Sequence, residues 1–109
     1  MPDKLLVSLN HVLLFVYDEN ATYRYEDKIS GDQDCAILAS HVMLEAAELG
    51  AATCWVNNFS PSGIKTALDL PANEYPVLMM PLGYADEEKG RPLAKHTLRK
   101  PVEEVVTRL

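Results

Sequence analysis

An almost wholly apolar helix, predicted over Asp34–Leu49, constrains this 109-residue chain more than any other segment. Its acidic residues and its histidine form one narrow polar stripe with the spacing i, i+7, i+11 and i+14: Asp34, His41, Glu45 and Glu48. The rest of its surface is apolar and is provided by Ile37, Leu38, Val42, Met43, Leu44, Ala46, Ala47 and Leu49. A helix with so little polar surface is predicted to lie centrally in a layered domain or in a subunit interface.

Both ends of this helix carry recognisable signals. Gly50 stands where a left-handed residue commonly ends a helix. At the other end Ser30 or Asp32 can cap the first turn, and Ser30 with Gln33 fits a capping box. The polar stretch before it, residues 18–33, has no clear period, so we predict a mobile loop and leave one turn of helix open.

Two apolar runs of strand length lie on either side of the helix. The first, VLLFVY at residues 12–17, is unbroken, as in a strand covered on both faces, which favours an α/β sandwich over an open antiparallel sheet. The second is PVLMMPLGY at residues 76–84. Its Pro81 has no N–H to donate, so the later part of this strand is predicted to bulge or to run along a sheet edge.

The segment TCWVNNF, residues 53–59, holds the only Trp of the chain. Residues 53–57 have strand composition and the two Asn residues mark a turn. Ser60 and Pro61 then begin a short helix, as N-cap and first helical residue. Composition alone favours a buried strand and turn with Trp55 as a core aromatic, and a binding site is the alternative.

Length and charge narrow the function classes. The chain has the length of one domain, 1–109, and 10 Lys plus Arg against 16 Asp plus Glu give a net charge of −6. That field repels phosphate backbones and anionic lipids, so neither nucleic acid nor a membrane is an expected partner. No apolar run approaches a membrane span and no signal-peptide layout is present, which predicts a cytoplasmic protein. Cys35 and Cys54 form no metal-ligand spacing with the His residues and are predicted to be buried thiols.

Basic residues gather near the C-terminus. Lys95, His96 and Arg99 precede a helix that Pro101 is predicted to open. The apolar positions of that helix are Val102, Val105, Val106 and Leu109. Cationic side chains beside a helix N-terminus suit a small anion, and the alternative is a solubilising basic patch before a surface helix.

The order of these motifs along the chain is familiar. Three runs carry the pattern, at residues 30–71, 76–88 and 96–106. They read SGDQDCAILASHVMLEAAELGAATCWVNNFSPSGIKTALDLP, PVLMMPLGYADEE and HTLRKPVEEVV. From Asn10 to Val106 the sequence resembles the C-terminal half of the FMN-dependent nitroreductase family. The resemblance implies an α+β fold, with a central sheet flanked by helices, and a homodimer with FMN in its interface. It also implies hydride transfer from NADH or NADPH through the flavin to a nitroaromatic, a quinone or a similar electrophile.

The resemblance assigns cofactor-binding residues and no catalytic side chain, since the flavin carries the chemistry. The family's segment along the edge of the isoalloxazine ring is matched by Trp55, Val56, Asn57 and Asn58. Arg99 matches the C-terminal basic residue that contacts the FMN phosphate, and His96 matches a His three residues earlier. Many relatives have Gly where this chain has the Asn pair, and Gly allows closer backbone approach to a ligand.

This sequence also departs from the family. The family's N-terminal portion, with an Arg-x-Ser-x-Arg-like segment that grips the flavin phosphate and ribityl chain, has no counterpart in it. We therefore expect a truncated nitroreductase-like domain. It is a shortened chain, the product of a gene for the C-terminal half, or one half that assembles with a separate partner. A homodimer or higher oligomer through the Asp34–Leu49 helix is expected, and the alternative function is a non-catalytic dimerising remnant with an assembly or regulatory role.

Overall fold

The computed structural model describes residues 11–85 and 98–109. Its elements are β1 (His11–Asp18), β2 (Arg24–Tyr25), β3 (Lys28–Ile29), α1 (Gly31–Glu48), β4 (Ala52–Thr53), α2 (Pro61–Ala67), β5 (Glu74–Gly83) and α3 (Val102–Val105). Three strands form an antiparallel sheet in the order β1-β5-β4, and β2 pairs with β3 in a separate hairpin. Helix α1 contacts all three strands of the larger sheet, and α2 packs against β5. The predicted α+β fold, with a sheet flanked by helices, is confirmed.

A small core joins α1 to this sheet. Its buried members are Phe15, Cys35, Ala39, Leu78 and Met80. Phe15 of β1 pairs with Leu78 of β5, and Met80 lies two residues further along the same face. On the helix, Cys35 and Ala39 are four residues apart and so share one side. Because both are small, α1 can lie close to the sheet, as predicted for a central helix.

Helix α1 begins earlier than predicted and ends as predicted. It starts at Gly31, and the hydroxyl of Ser30 donates to the Asp34 carboxylate at 2.9 Å instead of accepting a backbone N–H. The predicted capping box is therefore wrong. At the other end Gly50 has φ +83°, and the N–H of Ala51 donates to the Ala46 carbonyl at 2.8 Å. These are the marks of a Schellman motif, which accounts for the glycine.

Residues 18–33 contain a hairpin where a loop was predicted. Strands β2 and β3 pair through Arg24 with Ile29 and Tyr25 with Lys28. Glu26, in the turn between them, has a positive φ of 55°. Two-residue strands are too short to leave an alternating pattern in the sequence, which explains why the prediction missed them.

Two further predictions are corrected at the ends of the described chain. Val12 and Leu13, neighbours on opposite faces of β1, are both exposed. The start of that strand is therefore not covered on both faces. The C-terminal helix extends only over Val102–Val105, and Val106 is extended with ψ 126°. All the apolar residues of this segment are exposed. A short helix needs an apolar face packed against the rest of the protein to be stable, which explains why this one ends early.

Candidate functional site

The Trp55–Asn58 segment continues the line of β4 along the central strand β5. Thr53 pairs with Leu82, and three residues later Val56 pairs with Met79 in the same register. The N–H of Val56 donates to the Met79 carbonyl at 2.9 Å, and the N–H of Met79 donates back at 3.0 Å. Residues 53–57 therefore follow a strand path, as predicted, with an interruption between Thr53 and Val56.

Pro81 explains the interruption. The N–H of Cys54 donates to the Pro81 carbonyl at 3.2 Å, but proline has no N–H to return the bond. The predicted edge position for Pro81 is wrong, because β5 is the central strand. The bulge lies elsewhere, where the register of β1 shifts between Phe15 and Val16. The N–H that proline lacks would point towards β4, where the ladder is interrupted, and not towards β1. Pro81 is therefore tolerated in this central strand.

Trp55 lies where the ladder between β4 and β5 is interrupted, and its side chain is hydrogen-bonded to that of Asn57. Its ring is half-buried and packs against the core cluster. The indole Nε1–H donates to Oδ1 of Asn57 at 3.1 Å, and the Asn57 carbonyl accepts from the N–H of Phe59 at 3.0 Å. Asn57 is therefore restrained through both its side chain and its backbone, although it is exposed.

The turn after Val56 presents unpaired hydrogen-bond donors. Within residues 11–85 and 98–109, the backbone N–H groups of Asn57 and Asn58 have no acceptor. The chain leaves the turn along a fixed path, since Ser60 caps α2 by accepting the N–H of Gly63 at 3.1 Å. The predicted N-cap is confirmed. The segment after Val56 therefore offers two backbone N–H donors on exposed residues.

The predicted phosphate-binding residues lie apart from this segment in the sequence. Arg99 is exposed, and its Nη1 donates to the Leu98 carbonyl at 2.8 Å. His96 and Lys95 lie outside the described residues. The assignment of the consecutive residues Trp55, Val56, Asn57 and Asn58 to the edge of a flavin stays a prediction. The grouping of His96 and Arg99 around a phosphate stays a prediction.

An apolar groove of about 440 Å³ lies at the C-terminal end of α1. It is lined by His41, Val42, Glu45, Ala46, Leu49, Ala51 and Leu82. Next to it the helix exposes Ile37, Leu38 and Leu44, which are 60%, 57% and 67% exposed. The polar stripe of α1 is therefore flanked by apolar residues that are exposed in the described part of the chain.

The two cysteines are free thiols, and only Cys35 is fully buried. Burial, with the nearby carboxylates of Asp32 and Asp34, raises the pKa of Cys35, so its thiol is protonated at neutral pH. Such a thiol is a packing residue and not a nucleophile. In the part of the chain that the structure describes, no group of three or more His, Cys, Asp and Glu residues is arranged to hold a metal ion. No helix among those residues is long and apolar enough to span a bilayer.

Comparison with known proteins decides the family. The model of the nitroreductase family matches residues 8–84. This chain belongs to the nitroreductase family. A nitroreductase family protein from Clostridium difficile 630 is 31% identical, with a TM-score of 0.79, and the match covers 92% of this chain and 59% of that one. A nitroreductase family protein from Clostridium novyi NT is 28% identical, with a TM-score of 0.70, covering 80% and 49%.

A third solved structure supports the fold alone. It is named FMN-dependent nitroreductase, comes from Clostridium difficile R20291, and is 23% identical with a TM-score of 0.64. The match covers 87% of this chain and 59% of that protein. None of the curated proteins matches the chain. The nitroreductase-family chain thus spans about half to three-fifths of the length of these relatives.

Proposed function

We propose that this nitroreductase-family chain binds FMN and serves in an oxidoreductase that passes hydride from NAD(P)H, via the flavin, to nitroaromatic, quinone or similar acceptors. Its family membership and its similarity in fold to the FMN-dependent protein of Clostridium difficile R20291 support this proposal. The observation that carries it is the pair of backbone N–H donors of Asn57 and Asn58, which have no acceptor among the described residues and follow the strand path through Val56. The protein is proposed to be cytoplasmic.

The residues of this segment fit the polar edge of a flavin. An isoalloxazine edge offers carbonyl oxygens and ring nitrogens as acceptors, and the free N–H groups of Asn57 and Asn58 supply donors. His96 and Arg99 are proposed to hold the phosphate, to which guanidinium binds well. FMN, when bound, supplies the hydride chemistry, and the chain orients the ring and excludes competing contacts.

Titration of FMN into the purified chain tests this function. Bound flavin is expected to colour the protein and to raise its thermal midpoint. Arg99→Ala removes a charge-assisted hydrogen bond of about 1.5–3 kcal/mol and is expected to weaken FMN binding about ten-fold or more. Lys100→Ala, the adjacent cation, is the matched control and is expected to have a much smaller effect. A colourless protein without stabilisation by FMN would refute the proposal.

A second candidate function rests on the uncovered surface of α1. Ile37, Leu38 and Leu44 expose apolar side chains on this helix, and exposed apolar surface is a feature of protein interfaces. We propose that the chain forms a homodimer or higher oligomer through this helix. If it does so without binding FMN, the chain is a non-catalytic dimerising remnant or subunit with an assembly or regulatory role. Arg99→Ala then leaves every measurable property unchanged, whereas a charge on α1 splits the oligomer.

A further inference from the structure

We propose that Trp55 and Asn57 act as a unit, in which the indole orients the Asn57 amide so that its Nδ2 donates to a carbonyl-type acceptor on the ligand's edge. Asn57 is then a specificity-determining residue and Trp55 a positioning residue. The inference rests on the flavin site proposed above and deepens it. The observation behind it is the bond from Trp55 Nε1 to Asn57 Oδ1 at 3.1 Å.

The direction of this bond follows from the chemistry of the two groups. An indole N–H is a donor only, whereas an amide has a carbonyl oxygen that accepts and an NH₂ group that donates. Trp55 can therefore bind only the oxygen of Asn57. The amide cannot turn over without losing this bond, so its NH₂ group is held on the side away from the indole.

The indole itself is well anchored. Its ring packs against the core cluster, and register places Trp55 opposite Met80, which is fully buried. The backbone of Val56 is bonded in both directions to Met79, and the Asn57 carbonyl is bonded to Phe59. Because the side chain is ordered before a ligand arrives, little rotamer entropy remains to be lost on binding.

The set of groups defines the class of ligand. Two backbone N–H groups and the Asn57 Nδ2 are all donors, and the segment Trp55–Asn58 carries no charge. It is complementary to a planar, neutral edge rich in acceptors, such as a heteroaromatic ring with carbonyl oxygens and unprotonated nitrogens. A ligand edge with several donors leaves these N–H groups unpaired and is disfavoured.

Three substitutions separate the two roles. Trp55→Phe keeps an aromatic ring in the core and removes only the N–H. Asn57→Ala removes the amide. Asn57→Asp keeps an oxygen that accepts from the Trp55 indole and replaces the NH₂ donor by an acceptor. Asn58→Asp makes the same change of charge one residue away and is the control. FMN affinity is measured by quenching of flavin fluorescence, and the flavin absorption spectrum is recorded for each variant.

Trp55→Phe and Asn57→Ala are each expected to weaken FMN binding about three- to ten-fold, as for one lost hydrogen bond. The double variant is expected to bind no more weakly than Asn57→Ala alone, because both changes disable one unit. Asn57→Asp is expected to weaken binding more than Asn58→Asp does and to shift the flavin absorption bands. Asn57 is exposed, so its variants are expected to keep the unliganded thermal midpoint even if Trp55→Phe loosens the core.

The outcomes distinguish this inference from the function on which it rests. If wild type binds FMN but the single variants bind equally well, or their effects add, the pairing of Trp55 with Asn57 is refuted and the flavin site stands. The same conclusion follows if Asn58→Asp is as harmful as Asn57→Asp. If wild type binds no FMN, both the inference and the proposed function are refuted.

Discussion

The ring of Tyr17 lies directly against the backbone of Gly31, the first residue of α1. A Cβ atom at position 31 would overlap the carbons of that ring. The same ring contacts Tyr75 of β5, with centroids 5.4 Å apart. Tyr17 thus joins the start of the central helix to two neighbouring strands, and glycine is required by this close approach and not by a turn.

Gly31→Ala is therefore expected to destabilise the chain. Accommodating the new methyl group requires the Tyr17 ring or the start of α1 to shift, and overpacking of this kind costs about 1–3 kcal/mol. Thermal unfolding followed by circular dichroism measures the loss. Gly63→Ala in α2 is the control, since its Cβ would meet only the Cβ and Oγ of Ser60, at 3.3 Å. Equal effects of the two substitutions would contradict the proposed role of Tyr17.

Local signals in the sequence were enough to predict the main elements of this fold. Gly50 ends α1 through its left-handed backbone, and Ser60 caps α2, because each residue acts on atoms within a few positions of itself. Where the outcome depended on a distant strand, prediction failed. Pro81 fits a central strand because the N–H that proline lacks would face β4, where the ladder is interrupted. This follows only from the pairing of β5 with β4, which the local sequence does not reveal.

In the candidate site too, local features were predicted from the sequence, whereas contacts that depend on distant residues were not. Resemblance singled out Trp55 and Asn57, and composition predicted the strand and turn that carry them. The bond between their side chains was not predicted, because it depends on the packing of the Trp55 ring against the core and on the pairing of Val56 with Met79. The uncovered surface of α1 was anticipated from the width of its apolar face. Which apolar residues of this helix face the core required the structure, since Val42 packs on the core and Leu44 is exposed.

Asp18 is expected to make stability depend on pH in the acidic range. Its carboxylate accepts from Nδ2 of Asn73 at 2.8 Å and from the N–H of Asn20 at 2.9 Å. These bonds, the first above all, lower the pKa of Asp18. Its contribution is therefore fully present above the unfolded pKa of about 3.9 and is lost as pH falls through the lower folded value.

Urea unfolding of wild type and Asp18→Asn from pH 6 down to about pH 2.5 measures this contribution. The variant is expected to start with a lower midpoint and to lose less of it on acidification. Asp27→Asn, in the exposed turn between β2 and β3, makes the same change of charge elsewhere and is the control. Parallel curves for wild type and Asp18→Asn would show that this carboxylate does not link the strands energetically.

Pro81→Val is expected to complete the ladder between β5 and β4. The new N–H faces the carbonyl of Cys54, the reciprocal of the bond already present. The new hydrogen bond is expected to stabilise the fold by about 0.5–1.5 kcal/mol. Loss of proline is expected to cost about 0.4–1 kcal/mol, because the unfolded chain gains conformational entropy. The net change in stability is therefore expected to be less than about 1 kcal/mol. Hydrogen exchange is therefore the informative measurement. The amide at position 81 is expected to be protected like that of Met79, and exchange at the rate of an unpaired amide would contradict this register.

Leu44→Glu is expected to dissociate the proposed oligomer. The side chain is 67% exposed, so the change leaves the core of the chain intact, but in an interface it buries a carboxylate without a partner. Acidic residues already flank the site at Glu45 and Glu48, so the new charge adds repulsion. We expect association to weaken about a hundred-fold or more, measured by analytical ultracentrifugation. Leu68→Glu, at the end of α2, introduces the same change at another exposed leucine and is expected to leave the oligomer unaffected. An unchanged assembly in Leu44→Glu would mean that this chain associates through a different surface.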